Sequence, residues 1–208
     1  MRFAIKHFNQ AQQLNHLAHC FLSFGNEDLL VGNFIGDFVK GNDWQNYPLE
    51  VQRGILLHRT IDSFTDNHPA TNQSVVRVRP FGRRYSAPVT DVLYDYLLAI
   101  HWQQFSDQDF DVFAQKTYQS LQNRAVEMPL PLRDWIPKMM EDQFLHRYTT
   151  QEGMRKVMQR FSRRLPVEID TQAVLDYFFE HITDFSADFL AFFPDMVAQA
   201  KDFIQKPS

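Results

Sequence analysis

His58, Asp62 and Asp66 stand four residues apart in a segment whose positions 55, 56, 57, 61 and 64 are all apolar. On an α-helix this spacing stacks side chains along one stripe. A helix here therefore carries one imidazole and two carboxylates out of an otherwise apolar surface. Such a helix is buried on most sides, and buried ionisable groups are costly unless they are paired or hold a cation. Two like charges four residues apart also weaken the helix slightly. Whatever fold the chain adopts must compensate that stripe.

Three further segments repeat the pattern. Asn15 and His19 lie four apart in Leu14-Asn-His-Leu-Ala-His19. Asp37 has apolar flanks in Asn33-Phe-Ile-Gly-Asp37-Phe-Val-Lys, and Asp91 and Asp95 lie four apart in Asp91-Val-Leu-Tyr-Asp95-Tyr-Leu-Leu. Taken singly, Asn15 and His19 read as a satisfied core pair, Asp37 as a helix cap, and Asp91 as an acid early in its helix, where it favours the dipole. Asp95 has no such role. Taken together, four segments offer oxygen or imidazole donors from apolar backgrounds, and helical bundles build metal sites by converging such donors from facing helices. Mixed His and carboxylate sets suit Mn²⁺, Fe²⁺, Mg²⁺ or Zn²⁺ without selecting among them.

The apolar periodicity is helical nearly throughout, and two-residue alternation is rare. Helices are expected over 10–23, 27–40 and 48–68, the last ending before Pro69 because a residue preceding proline leaves the helical region. Residues 70–79 continue as helix up to a break at Pro80-Phe81-Gly82. A helix capped by Thr90 runs to 104, and others cover 108–126, 132–147 (bent or split by Pro137), 151–164 and 170–203 (kinked or split by Pro194). The expectation is an all-α, single-domain bundle over 1–208 with roughly eight helices. The chain length and its 44% apolar content, with 20 Phe, supply an ample core. Glycine clusters at 25, 32, 36, 41 and 54.

A net charge of −4 argues against a generic nucleic-acid or anionic-membrane binder. The one cysteine, Cys20, excludes an intrachain disulfide framework and a multi-cysteine zinc site and fits a reducing, cytoplasmic setting. No stretch of about 18 apolar residues offers a membrane span, and the first residues lack the apolar core of a signal peptide.

The same residues carry a resemblance. Asn15-His-Leu-Ala-His19, Gly32-Asn-Phe-Ile-Gly-Asp37-Phe-Val-Lys-Gly41, the run from Gly54 through His58, Asp62 and Asp66 to Pro69, and Asp91-Val-Leu-Tyr-Asp95 resemble, in order and spacing, the acyl carrier protein phosphodiesterase family. Phe192-Phe-Pro194-x-Met196 adds a weaker match, and 106–190 adds helix pattern but little identity. The resemblance implies hydrolytic removal of the phosphopantetheine arm from holo acyl carrier protein, giving the apo protein and free 4′-phosphopantetheine. It also implies a helical fold distantly like the HD phosphohydrolases and dependence on a divalent metal, most commonly Mn²⁺, with Mg²⁺ or Fe²⁺ as alternatives. His19, Asp37, His58, Asp62 and Asp95 are carried over as metal ligands. Asp66 or Asp91 would orient or deprotonate the attacking water, and Arg59 would neutralise phosphate charge. Tyr96 departs from the family pattern, where His is expected after the Asp. His16 stands where an aromatic residue is usual and is read as packing.

Carrier proteins of this kind are acidic, and two windows offer basic surface without acids: Arg77, Arg79, Arg83 and Arg84, and 153–167 with Arg155, Lys156, Arg160, Arg163 and Arg164. Either could steer an acidic partner. Asp176, Glu180, Asp184 and Asp188 recur every four residues and read as a solvated acidic face opposite a core side of Leu175, Phe178, Phe179, Ile182, Phe185 and Phe189. Two competing readings are a metal phosphohydrolase of a small nucleotide and a non-catalytic helical module that binds carrier protein, the latter favoured by Tyr96.

Overall fold

The computed structural model describes residues 16–130 and 132–206. Among them every regular element is helical: ten α-helices, joined in places by short 3₁₀ turns. They are α1 (His16–Phe21), α2 (Glu27–Ile35), α3 (Leu49–Asn67), α4 (Pro69–Gly82), α5 (Ser86–Ile100), α6 (Phe110–Asn123), α7 (Leu132–Glu141), α8 (Gln151–Ser162), α9 (Thr171–Glu180) and α10 (Ile182–Gln205). Asn15 and the expected helix over 10–15 lie outside the described residues. No helix among the described residues is long and apolar enough to cross a membrane.

The glycine cluster explains how the first half packs. A Cβ at Gly32 would lie 2.1 Å from the Val51 carbonyl oxygen and 2.7 Å from the Gly54 Cα, and one at Gly54 would lie 2.5 Å from the Leu29 carbonyl oxygen. The backbones of α2 and α3 therefore touch, which no residue with a side chain permits at those two positions. This crossing sets the α2 face carrying Asn33 against the α3 face carrying His58. The helix expected over 27–40 stops at Ile35, and a 3₁₀ turn, Gly36–Phe38, follows and carries Asp37. α3 ends at His68, immediately before Pro69, as the proline requires.

Several boundaries differ from expectation for identifiable reasons. α5 begins at Ser86, a turn ahead of Thr90, whose hydroxyl donates to the Ser86 carbonyl at 2.8 Å inside the helix and is no cap. Asp91 consequently lies in the second turn. Pro80 falls in the last turn of α4 and forgoes one intrahelical hydrogen bond, yet the helix runs on to Gly82 before Arg83 turns to φ 51°. α7 contains Pro137 without splitting and gives way at left-handed Gln143 (φ 46°) to a 3₁₀ turn over Phe144–Thr149.

The helix expected over 170–203 breaks at His181 and not at Pro194, which α10 absorbs. The break resets the helical phase and divides the acidic stripe. Asp176, Glu180 and Asp184 are exposed, but Asp188 is buried. It accepts a hydrogen bond from the Ser74 hydroxyl at 2.9 Å and pairs with Arg77 Nε at 3.4 Å. The solvated acidic face thus ends at Asp184, and half-buried Arg77 is committed to an internal ion pair.

Leu175, Phe178, Phe185 and Phe189 form core as expected, with Phe179 and Ile182 at its margin. Phe189 and Phe193 stack at 5.0 Å, and Phe105 meets Phe193 edge-on at 4.8 Å. Phe64 meets Phe192 at 6.2 Å and Tyr94 meets Phe189 at 5.3 Å, and these contacts, each worth about 0.5–1.5 kcal/mol beyond burial, fasten α10 over α3 and α5.

Candidate metal centre

α1, α2 and α3 each bring one buried polar residue to the same point. His19 and His58 stack with ring centroids 4.1 Å apart. Their Nε2 atoms face opposite oxygens of Asp62, His19 at 3.4 Å from Oδ1 and His58 at 3.2 Å from Oδ2. The donor atoms of His19, His58 and Asp62 all lie within 4.8 Å of one another. His58 Nε2 also lies 3.5 Å from Asp37 Oδ1, so the 3₁₀ turn after α2 delivers a second carboxylate to that ring. Gly36 makes room for it, since a Cβ there would sit 2.3 Å from His58 Cγ.

Asn33 fixes both imidazoles and is wholly buried. Its side-chain oxygen faces His19 Nδ1 at 2.7 Å, its amide nitrogen donates to the His19 carbonyl at 2.7 Å, and its own carbonyl oxygen faces His58 Nδ1 at 2.8 Å. Both oxygens only accept, so each histidine carries its proton on Nδ1 and turns Nε2 toward Asp62. Histidine ligands are held in this way, with the remote ring N–H given to a carbonyl. Sequence reading passed over Asn33 as part of a motif. The signal that could have found it is an amide among Val31, Gly32, Phe34 and Ile35, an apolar stretch that offers it no solvent.

The electrostatics call for a cation. Burial disfavours a charged imidazole at His58, yet the Asp62 and Asp37 carboxylates outweigh it and raise its pKa to about 10. Burial pushes Asp62 the other way, but His58 and His19 hold its carboxyl well below the usual range. Nearby, burial and the charges of Asp62, Asp66, Asp95 and Asp37 push Asp91 well above the ordinary carboxylate value. Asp91 Oδ1 is closed to solvent and makes no hydrogen bond, a costly arrangement for a carboxylate. It borders a cavity of about 30 Å³ shared with His19, Asp62 and Asp95 and roofed by Phe189, Phe192, Phe193 and Met196. That volume is close to the share of one water molecule, enough for a single ion or water. An acid-rich cavity of this size, lined by His19, Asp62 and the orphaned Asp91 oxygen with His58 on the far side of Asp62, fits a divalent cation.

Two expected site residues bond to backbone groups in this structure. Asp95 is fully buried, and its two oxygens accept from the backbone N–H groups of Leu17 (3.0 Å) and Ala18 (2.9 Å), with the Tyr148 hydroxyl as a further partner. Burial still lifts its pKa to about 7 against these bonds. Its carboxylate ties the Leu17 and Ala18 backbone of α1 to α5, and it lines the cavity beside His19 and Asp62 without joining their donor cluster. Arg59 directs Nη2 to the carbonyls of Val39 (3.3 Å) and Gly41 (2.9 Å). It braces the loop that follows Asp37. Asp66 lies exposed one turn beyond Asp62, and partial burial and the Asp62 charge raise its pKa. Tyr96 packs edge-on against Phe178 (5.8 Å) and Phe179 (5.5 Å) in the core, away from the cluster. His16 packs on Phe34 and Phe144, as expected.

Comparison with known proteins agrees with this arrangement of motifs. The family model described as acyl carrier protein phosphodiesterase matches residues 14–196. The chain is similar to proteins named acyl carrier protein phosphodiesterase from Enterobacter sp. (strain 638), 31% identical over 91% of this chain and 98% of the relative. Similar relatives of the same name come from Shigella boydii serotype 18, 31% identical over 90% and 97%, and from Escherichia coli O157:H7 (strain EC4115 / EHEC), 30% identical over the same shares. No solved structure matches the chain. Both the family match, which takes in every residue of the centre, and these relatives lead to one assignment: the chain belongs to the acyl carrier protein phosphodiesterase family.

Proposed function

We propose that this protein is a metal-dependent hydrolase that removes the 4′-phosphopantetheine group from holo acyl carrier protein and leaves the apo protein. The convergence of His19, His58 and Asp62 beside the orphaned Asp91 oxygen supports the reading, on a chain of this family. His19 and His58, through Nε2, and Asp62 hold the ion, and Asp37 and Asp91 are the nearest further oxygens. Manganese is the proposed ion, and magnesium or iron(II) would suit the same donors. Bound there, a divalent ion acidifies water and neutralises charge on a phosphoryl oxygen.

The protein's own groups supply the remainder. Asp66, at the exposed end of the α3 stripe, orients the attacking water and takes its proton, and its raised pKa improves it as a base near neutrality. Asn33 keeps both imidazoles in the binding tautomer. Asp95 holds α1 in place. Exposed Arg79, Arg83 and Arg84 meet the acidic carrier, without Arg77, which Asp188 occupies. The distant likeness to HD phosphohydrolases belongs to the same proposal.

Mass spectrometry of holo carrier protein incubated with this protein and Mn²⁺ tests the assignment. The expected result is conversion to the apo mass. Intact holo protein together with cleavage of small nucleotides would move the activity to the nucleotide class, and turnover of neither would leave a binding module.

Asn33→Ala is expected to lower manganese affinity about 10–100-fold, the usual effect of removing a partner behind a ligating histidine. Calorimetric titration of the metal-free protein measures this. Wild-type affinity in the variant would remove Asn33 from that role.

A further inference from the structure

A second cavity, which the centre does not use, lies between α7, the turn over Phe144–Thr149 and α8. Its volume is about 430 Å³, within the roughly 300–1,000 Å³ range of cavities that bury small ligands. One side is apolar, with Phe38, Leu132, Trp135, Met139, Phe144 and Val157. Phe38 and Trp135 meet edge-on at 6.5 Å. The other side carries Lys138, Arg147, Arg160, Arg163 and Arg164 against one acid, Asp142.

Asp142 is already shared. It pairs with Arg147 at 2.9 Å, Arg160 at 3.3 Å and Lys138 at 3.4 Å. Nothing of opposite charge in the cavity is left for Arg163 or Arg164. Arg164 Nη1 is closed to solvent and makes no hydrogen bond, and burial and neighbouring Arg160 both work against its charge. Exposed Arg163 and partly buried Arg164, in excess over acid and beside apolar side chains, are complementary to a ligand with one anionic end and one apolar end. Guanidinium binds carboxylate and phosphate oxygens through paired N–H donors, and the aromatic and aliphatic wall takes a chain.

We propose that this cavity binds a single-chain anionic amphiphile, its acid group on Arg163 and Arg164 and its chain along Trp135, Leu132, Met139 and Val157. The inference stands apart from the phosphodiesterase reading, because none of these residues belongs to the metal cluster. Carboxylate and phosphate monoester share the required chemistry.

Trp135 gives the readout. Titration of the full-length protein with decanoate or decyl phosphate is expected to change its fluorescence saturably, and Trp135→Phe should abolish the change. Whichever probe binds more tightly identifies the headgroup. Decyltrimethylammonium, with the same chain and the opposite charge, should bind at least 10-fold more weakly. Arg164→Gln with Arg163→Gln should weaken the anionic probes about 10-fold or more, and Val157→Phe, which fills the cavity, should weaken all of them. Melting temperatures of the variants separate lost binding from lost folding, and Asp62→Asn, which leaves the cavity intact, should bind like wild type. Equal affinity for the cationic probe, or unchanged affinity after the arginine substitutions in folded protein, overturns the proposal. Either result is independent of whether holo carrier protein is cleaved.

Discussion

Asp62→Asn is expected to emerge from manganese reconstitution with less than about a tenth of the wild-type metal and to cleave holo carrier protein roughly 10³-fold or more slowly. The magnitude follows from removing the one carboxylate that faces both Nε2 atoms, in a reaction where a cation contributes several kcal/mol of charge stabilisation. The asparagine is nearly isosteric, so packing around α3 is kept. Asp37 remains beside His58 Nε2 in the variant, so the buried ring keeps one carboxylate partner. The fold is therefore expected to tolerate the change, with Tm within a few degrees of wild type. Elemental analysis and single-turnover mass spectrometry on one preparation measure both quantities. Full metal content with an undiminished rate would remove Asp62 from the centre.

Gly32→Ala is expected to destabilise the fold strongly. The new Cβ would sit 2.1 Å from the Val51 carbonyl oxygen, and the obstacle is backbone on the opposing helix, which cannot rotate away. Overpacking of this sort costs about 1–3 kcal/mol and sometimes more. At roughly 2–4 °C per kcal/mol for a chain of this size, a drop of roughly 2–12 °C in Tm is expected. The same wedge separates Asn33 from His58, so metal affinity should fall as well. Thermal denaturation with and without manganese checks both effects. An unchanged melting curve would show that α2 and α3 are not in backbone contact.

Much of this was legible from residue spacing. The stripe of His58, Asp62 and Asp66, the stop before Pro69 and the core side of Phe178, Phe185 and Phe189 all follow from helical periodicity, because a buried face must repeat along the helix that bears it. Boundaries that rest on proline were less legible. Pro80, Pro137 and Pro194 all sit inside helices, since packing on neighbouring elements outweighs one missing hydrogen bond. The break at His181 has no proline to announce it, and missing it kept Asp188 on the wrong face. Asp95 and Arg59 show a different limit. A charged side chain among apolar neighbours needs partners, but the sequence does not say whether those partners are an ion or backbone groups. Here they are the N–H groups of α1 and the carbonyls of Val39 and Gly41. The local pattern around Asn33 pointed to buried polarity, but its double duty depends on the α2–α3 crossing, which only three dimensions display.

His19 takes its place from α1, whose Leu17 and Ala18 N–H groups donate to one carboxylate on α5, that of Asp95. His58 and Asp62 ride instead on a nineteen-residue helix locked against α2. The two halves of the centre therefore owe their alignment to different neighbours, so a disturbance at Asp95 shifts one imidazole and leaves the other two donors where they are.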